Sequence, residues 1–275
     1  MAWSPHRRHY GQFNMIIASY LFAGIFAGLT AGLFGVGGGL VVVPILVFAF
    51  ELQGFTPDVL THMAIGTSLA TIVFTATSSA ISHNKKGAVL WLVFKPMSLG
   101  IVFGAVLGVL TVVQLDGEVL KKLFGLFAVG VSIKMLLKTS ASGTMTLSSS
   151  PIFTLVGVGV AWVSSIFGIG GGTLTVPFLS RYNIEMKQVV GTSAACGLPI
   201  ALAASLSNML IGQGVDGRPE WSIGFVYLPA LLGICLTSVY FAKIGAHFAH
   251  RLPSKLLKQL FSVFLMVVGI RFLIT

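Results

Sequence analysis

The chain has 275 residues, of which 55% are hydrophobic and only 9% charged, and its mean hydropathy is +0.95. A soluble domain is about one quarter charged, so this balance excludes a soluble fold. It also excludes the nucleic-acid partner that a formal charge of +10 would otherwise imply, because the Lys and Arg residues fall in short stretches between apolar segments, where they anchor and orient membrane helices.

In chain order, Met1 to Asn14 carries Arg7 and Arg8 and precedes a charge-free stretch from Asn14 to Phe50. That stretch is too long for a signal-peptide core and has no obvious cleavage site, so it is expected to remain as the first membrane segment. As one helix it would run about 56 Å at 1.5 Å per residue. A bilayer core is ~30 Å thick, so the chain must turn back inside it. The natural break is Gly35 to Gly39, with a short segment bearing Pro44 after it.

The next segment carries Thr67, Thr71, Thr75, Ser78 and Ser82, whose spacings of 4, 4, 3 and 4 put five hydroxyls on one helical face. Such a stripe either hydrates a pathway or bonds back to its own helix. A basic stretch with Lys85 and Lys86 leads to Trp91 and to a segment with Lys95, Gly100, Gly104 and Gly108. Those glycines, like Gly24, Gly28 and Gly32, follow the spacing of close helix packing. Thr139 to Ser150 is small, polar and uncharged, and reads as a linker.

Beyond the linker the first half is written again. Gly168 to Gly172 and Pro177 repeat Gly35 to Gly39 and Pro44 at an offset of 133, and Gly191-Thr192-Ser193 repeats Gly66-Thr67-Ser68 at 125. Trp91 pairs with Trp221, and Lys121, Phe124, Phe127 and Lys134 match Lys258, Phe261, Phe264 and Arg271 at 137. Residues 1–138 therefore form a first membrane repeat, 139–150 a linker and 151–275 a second repeat. The expected fold is an all-α membrane protein of eight long spans plus two short Gly-broken segments, arranged as two inverted sets of five.

Inversion follows from the odd count of five, and loop charge favours it. With both termini outside, 11 of the 17 basic residues face the cytoplasm and 6 face outward. An eight-crossing alternative with termini inside divides them 9 against 8. The basic N-terminus points the other way.

Paired Gly-interrupted segments mark the binding site of many transporters. Consecutive glycines leave backbone N–H groups unshielded, and the short helix after each break turns its positive dipole end toward the opening, which suits an anion. The substrate-binding candidates are Gly37, Gly38 and Gly39, Gly170, Gly171 and Gly172, and the pairs Thr67, Ser68 and Thr192, Ser193. His83 and Asn208, expected to end equivalent helices near the interfaces, and Lys95, able to snorkel, are candidates for a gate or counter-ion.

All seven acidic residues fall in loops or at segment ends, which weakens the case for tight proton or Na⁺ coupling. An anion leaving a negative interior gains about 2.3 kcal/mol per charge per 100 mV without a coupled cation. Cys196 and Cys235 lack metal-ligand spacing, and there is no Walker A, nucleophile-elbow or HExxH pattern. No enzyme activity, metal or cofactor is expected. The partners are a small anion and the lipid bilayer, and a homo-oligomer stays open.

The two Gly-x-Gly-Gly-Gly…Val-Pro elements, each followed by Gly-Thr-Ser, together with His83 to Trp91, resemble the sulfite exporter TauE/SafE family of permeases over nearly the whole chain. The resemblance implies a multi-pass protein of the bacterial inner membrane that exports sulfite, a sulfonate or a small organic acid by alternating access between the repeats. The second half departs from the pattern at Gly212 to Glu220, which replaces the basic loop. A non-transporting scaffold is the alternative that duplication and glycine packing alone would allow.

Overall fold

The computed structural model describes residues 18–30, 38–137, 150–248 and 254–274. Among them are ten helices: α1 Ala18–Thr30, α2 Gly39–Leu52, α3 Pro57–Lys85, α4 Trp91–Val113, α5 Gly117–Leu136, α6 Ser150–Ile166, α7 Gly172–Leu179, α8 Met186–Ile211, α9 Leu228–Phe248 and α10 Ser254–Ile274. The linker from Thr139 to residue 149 and Gly35 to Gly37 of the first break lie outside the described residues. By length and composition α3, α4 and α8 with its extension to Gly214 are each sufficient to cross a membrane.

Local sequence accounts for the boundaries. Pro57 sits in the first turn of α3, where a missing N–H costs nothing, and Glu118 lies in the first turn of α5, facing the positive end of its dipole. Pro44 and Pro177 fall six residues into α2 and α7, and each removes the N–H that would have met the carbonyl four residues earlier, on Leu40 and Thr173. The short helices are thus weakened at matched points.

Contacts between elements define two ends and a middle. At one end Glu51 Oε1 accepts a hydrogen bond from Lys121 Nζ at 2.9 Å, and Arg271 of α10 approaches Glu51 Oε2 at 3.8 Å. The Tyr20 and Gln53 side chains bond there, and His62 Nε2 lies 3.1 Å from the Val112 and Leu115 carbonyl oxygens. At the other end Phe153 and Tyr182 rings stand 5.7 Å apart, and Thr154 Oγ1 donates to Pro96 O at 3.0 Å. The outer ends of α1 and α2 therefore share the Glu51 end, while those of α6 and α7 share the opposite one. In the middle, the position of a β-carbon on Gly39 lies 2.6 Å from Gly168 O and 2.9 Å from Ile72 Cδ1, so the two glycine breaks meet halfway along α3.

The helix-packing glycines behave as their spacing predicts. Gly100 and Gly104 lie against the backbone of Thr154 and Val158 on α6, and Gly24 and Gly28 against Ile234 and Ser238 on α9. Gly125 and Gly269 face each other across α5 and α10, each β-position 2.8 Å from the other's carbonyl oxygen. Most of the 18-residue apolar window of α3 is buried, whereas Leu92 and Leu99 of α4 are 76% and 73% exposed, as lipid-facing side chains would be.

One expectation fails. Trp91 opens α4, but Trp221 lies in a turn before an antiparallel pair of two-residue strands, β1 Ser222–Ile223 and β2 Val226–Tyr227, so the two are not equivalent. The offset rises from 125 in α3/α8 to 137 in α4/α9 because twelve extra residues form this hairpin, and Leu228 is the counterpart of Trp91. Replacing Gly104 by Leu should destabilise the purified protein by about 1–3 kcal/mol. Gly130→Ala, with nothing within 4 Å, should be neutral or stabilising by thermal melting in detergent.

Candidate functional site

The Gly-Thr-Ser triplets sit where the halves touch. Gly66 is glycine because Phe225 O lies 2.5 Å from where its β-carbon would be, and Gly191 likewise faces Ala88 O. Thr67 Oγ1 accepts a hydrogen bond from the Tyr227 N–H at 2.9 Å, and Thr192 Oγ1 accepts one from the Leu90 N–H, also at 2.9 Å. Tyr227 and Leu90 immediately precede α9 and α4, where backbone N–H groups have no intrahelical partner. Each threonine therefore caps a helix of the other half from the side.

The serines face the breaks. Ser68 Oγ donates to Gly168 O at 2.7 Å, across 100 residues of sequence. Gly168 adopts φ +63°, a conformation that favours glycine, and closes the turn between α6 and α7 while its carbonyl receives that bond. Gly38, at φ +78°, is the N-cap of α2. Ser193 Oγ is buried without a hydrogen-bond partner, and the residue that would answer Gly168 is Gly35, outside the described residues.

Gly38, Gly39, Gly170, Gly171 and Gly172 are all buried, as are Thr67, Ser68, Thr192 and Ser193. The structure unites Gly39, Gly168 and Ser68 in one place, beside the buried first turn of α2. Gly171 N-caps α7 with no side-chain capping bond. Gly37 lies outside the described residues. All seven carboxylates are exposed, so no described carboxylate lies inside the bundle.

A match to the model of the sulfite exporter TauE/SafE family covers residues 20–272. The chain belongs to that family. Among relatives, a probable membrane transporter protein of Haemophilus influenzae is 39% identical over 251 residues, covering 91% of this chain and 95% of its own length. One of Methanocaldococcus jannaschii is 29% identical over 262 residues, covering 94% and 96%, and one of Bacillus subtilis is 26% identical over 266 residues, covering 90% and 93%. No solved structure matches the chain. Family and helices together make this a multi-pass membrane protein of the TauE/SafE transporter family.

Placed in this TauE/SafE chain, the gate and counter-ion candidates separate from the breaks. His83 lies half-exposed in the last turn of α3, and its carbonyl accepts from the Lys86 and Ala88 N–H groups to close the turn. Lys95 is exposed on α4. Asn208 lies near the end of its helix, as expected, but under the cover of the hairpin. It is fully buried three residues before the end of α8, Nδ2 donating to Ala204 O at 2.8 Å and its own backbone O accepting from Phe225 N at 3.1 Å, because the hairpin folds over it.

The hydroxyl stripe resolves toward self-bonding: Thr71 Oγ1 donates to Ser68 O at 2.7 Å and Thr75 Oγ1 to Ile72 O at 3.2 Å. Outside the helices, burial pushes the Tyr227 phenol above its ordinary value, so it stays neutral beside Phe50 and Phe55. Sequence reasoning named Ser193 but missed the buried His62, the Leu90 and Tyr227 amides, and the unpartnered hydroxyl of Thr175. Only the jump in repeat offset could have pointed to Leu90 and Tyr227 as counterparts. Thr67→Val and Thr192→Val should each strand a backbone N–H and cost about 1–3 kcal/mol of stability, and Thr67→Ser should restore the melting temperature in detergent.

Proposed function

We propose that this chain carries a small anion, such as sulfite, a sulfonate or a small organic acid, outward across a bacterial inner membrane by alternating access between two inverted five-helix halves. The observation that carries this reading is the meeting of the two glycine breaks, Gly39 against Gly168 and Ile169, halfway along α3. In this reading α1–α2 enters and leaves from one side and α6–α7 from the other, while three helices of each half cross. Two helix N-termini then reach the midplane from opposite faces, the arrangement that gives an anion a positive berth inside hydrocarbon.

Within that berth Gly37 to Gly39 and Gly170 to Gly172 offer backbone to the anion. Thr67, Ser68, Thr192 and Ser193 hold the surrounding walls, three of them through bonds that join one half to the other. The exposed carboxylates leave the interior without a negative group to repel the substrate. Membrane potential supplies the drive for export, worth about 2.3 kcal/mol per charge per 100 mV. The mobile step is a rocking of one half against the other, in which the cross-half bonds act as hinges.

In proteoliposomes, sulfite, methanesulfonate or acetate flux should be saturable, and reversing an imposed potential should reverse its net direction. Cysteines at Lys86 and Arg218 should react with a membrane-impermeant thiol reagent from opposite faces. Folded protein that moves none of these anions faster than protein-free vesicles would sink the carrier reading and favour a scaffold.

A further inference from the structure

The first turn of α7 reads Gly172-Thr173-Leu174-Thr175, whereas that of α2 reads Gly39-Leu40-Val41-Val42. Thr175 is 0% exposed, and its Oγ1 has no hydrogen-bond partner. The hydroxyl leans toward the helix N-terminus, as side chains on helices do, and lies 3.3 Å from where a β-carbon on Gly171 would stand. Any such β-carbon would also come within 2.6 Å of Ile200 Cδ1, so only a glycine fits between Thr175 and the tip of the Ile200 side chain.

At the repeat offset of 133, the counterpart of Thr175 is Val42, buried to the same degree. Valine and threonine have the same shape, so this chain already shows that the packing position accepts a methyl group in place of the hydroxyl. An unsatisfied buried hydroxyl is a cost to folding that valine would avoid. The hydroxyl, aimed at the positive end of α7 and needless for packing, therefore serves something absent from the apolar first turn of α2.

We propose that Thr175 is a substrate ligand: its Oγ1–H donates a hydrogen bond to one oxygen of an oxyanion seated on the N-terminus of α7. This rests on the carrier reading above and makes it asymmetric. The second half's break grips the anion, and the apolar turn of α2 forms the facing wall. A donor hydroxyl together with backbone amides selects a ligand with oxygen acceptors, and sulfite is the probe of choice.

The test compares the parent with Thr175→Val and Thr175→Ser. Without sulfite, T175V should melt no lower than the parent. In proteoliposomes its KM for sulfite should rise roughly tenfold or more with vesicle incorporation unchanged, the scale of one lost hydrogen bond to a charged ligand. T175S should stay near the parent. Sulfite should raise the melting temperature of the parent and of T175S but not that of T175V. A T175V protein with the parent's KM would overturn the assignment while leaving the carrier reading intact. So would a T175V protein that fails to fold, since the hydroxyl would then serve the structure. A folded parent that carries no sulfite would remove the carrier reading and this ligand with it.

Discussion

Backbone polar groups freed inside a bilayer must find partners in protein or in a cavity, because hydrocarbon offers none. Two glycine breaks at mid-height free such groups, and the rest of the architecture answers them. Gly168 O is taken by Ser68, and the N–H groups that open α4 and α9 are taken by Thr192 and Thr67. Every one of these bonds crosses from one half to the other. Neither half could satisfy its own backbone alone, which ties duplication to stability before any question of transport arises.

The same bonds constrain motion. A hydroxyl bound to a backbone N–H can pivot about its χ1 and keep its partner through a small rotation, whereas an apolar contact of the same area would have to slide. Glycines at Gly66 and Gly191 bring the partner loops close enough for this. Among the described residues, the salt bridges from Glu51 to Lys121 and Arg271 sit at one end, where the long hairpin also folds over Asn208. The two ends of the molecule are therefore not equivalent in what holds them together.

Much of the fold was legible in the sequence because hydropathy, charge and glycine spacing are local signals. Gly24, Gly28, Gly100 and Gly104 face helix backbones as their spacing requires, and the breaks fall where segment length demands a turn. What was not legible depends on partners 100 or more residues away. Thr67 and Thr192 look like site residues because they recur, yet their oxygens are occupied by amides of the other half. Trp221 resembles Trp91 in sequence but falls inside an insertion, and Asn208 sits under that insertion. A repeat aligned by residue identity cannot place an extra loop; only the change in offset records it.

Recurrence in a duplicated chain marks what both halves need, and both halves need to be joined. Residues that only one half possesses say more about a substrate, since a single small molecule need not be held symmetrically. The described parts of the two breaks already differ, since Gly38 before α2 has φ +78° and Gly171 before α7 has φ −59°. Discrimination has to come from groups whose geometry differs between the breaks. The unpaired Thr175 opposite the satisfied, apolar Val42 is such a difference among the described residues, and it lies on the helix that begins at the break. The recurring residues join the two halves, and the residues found in one half alone are where the two breaks differ.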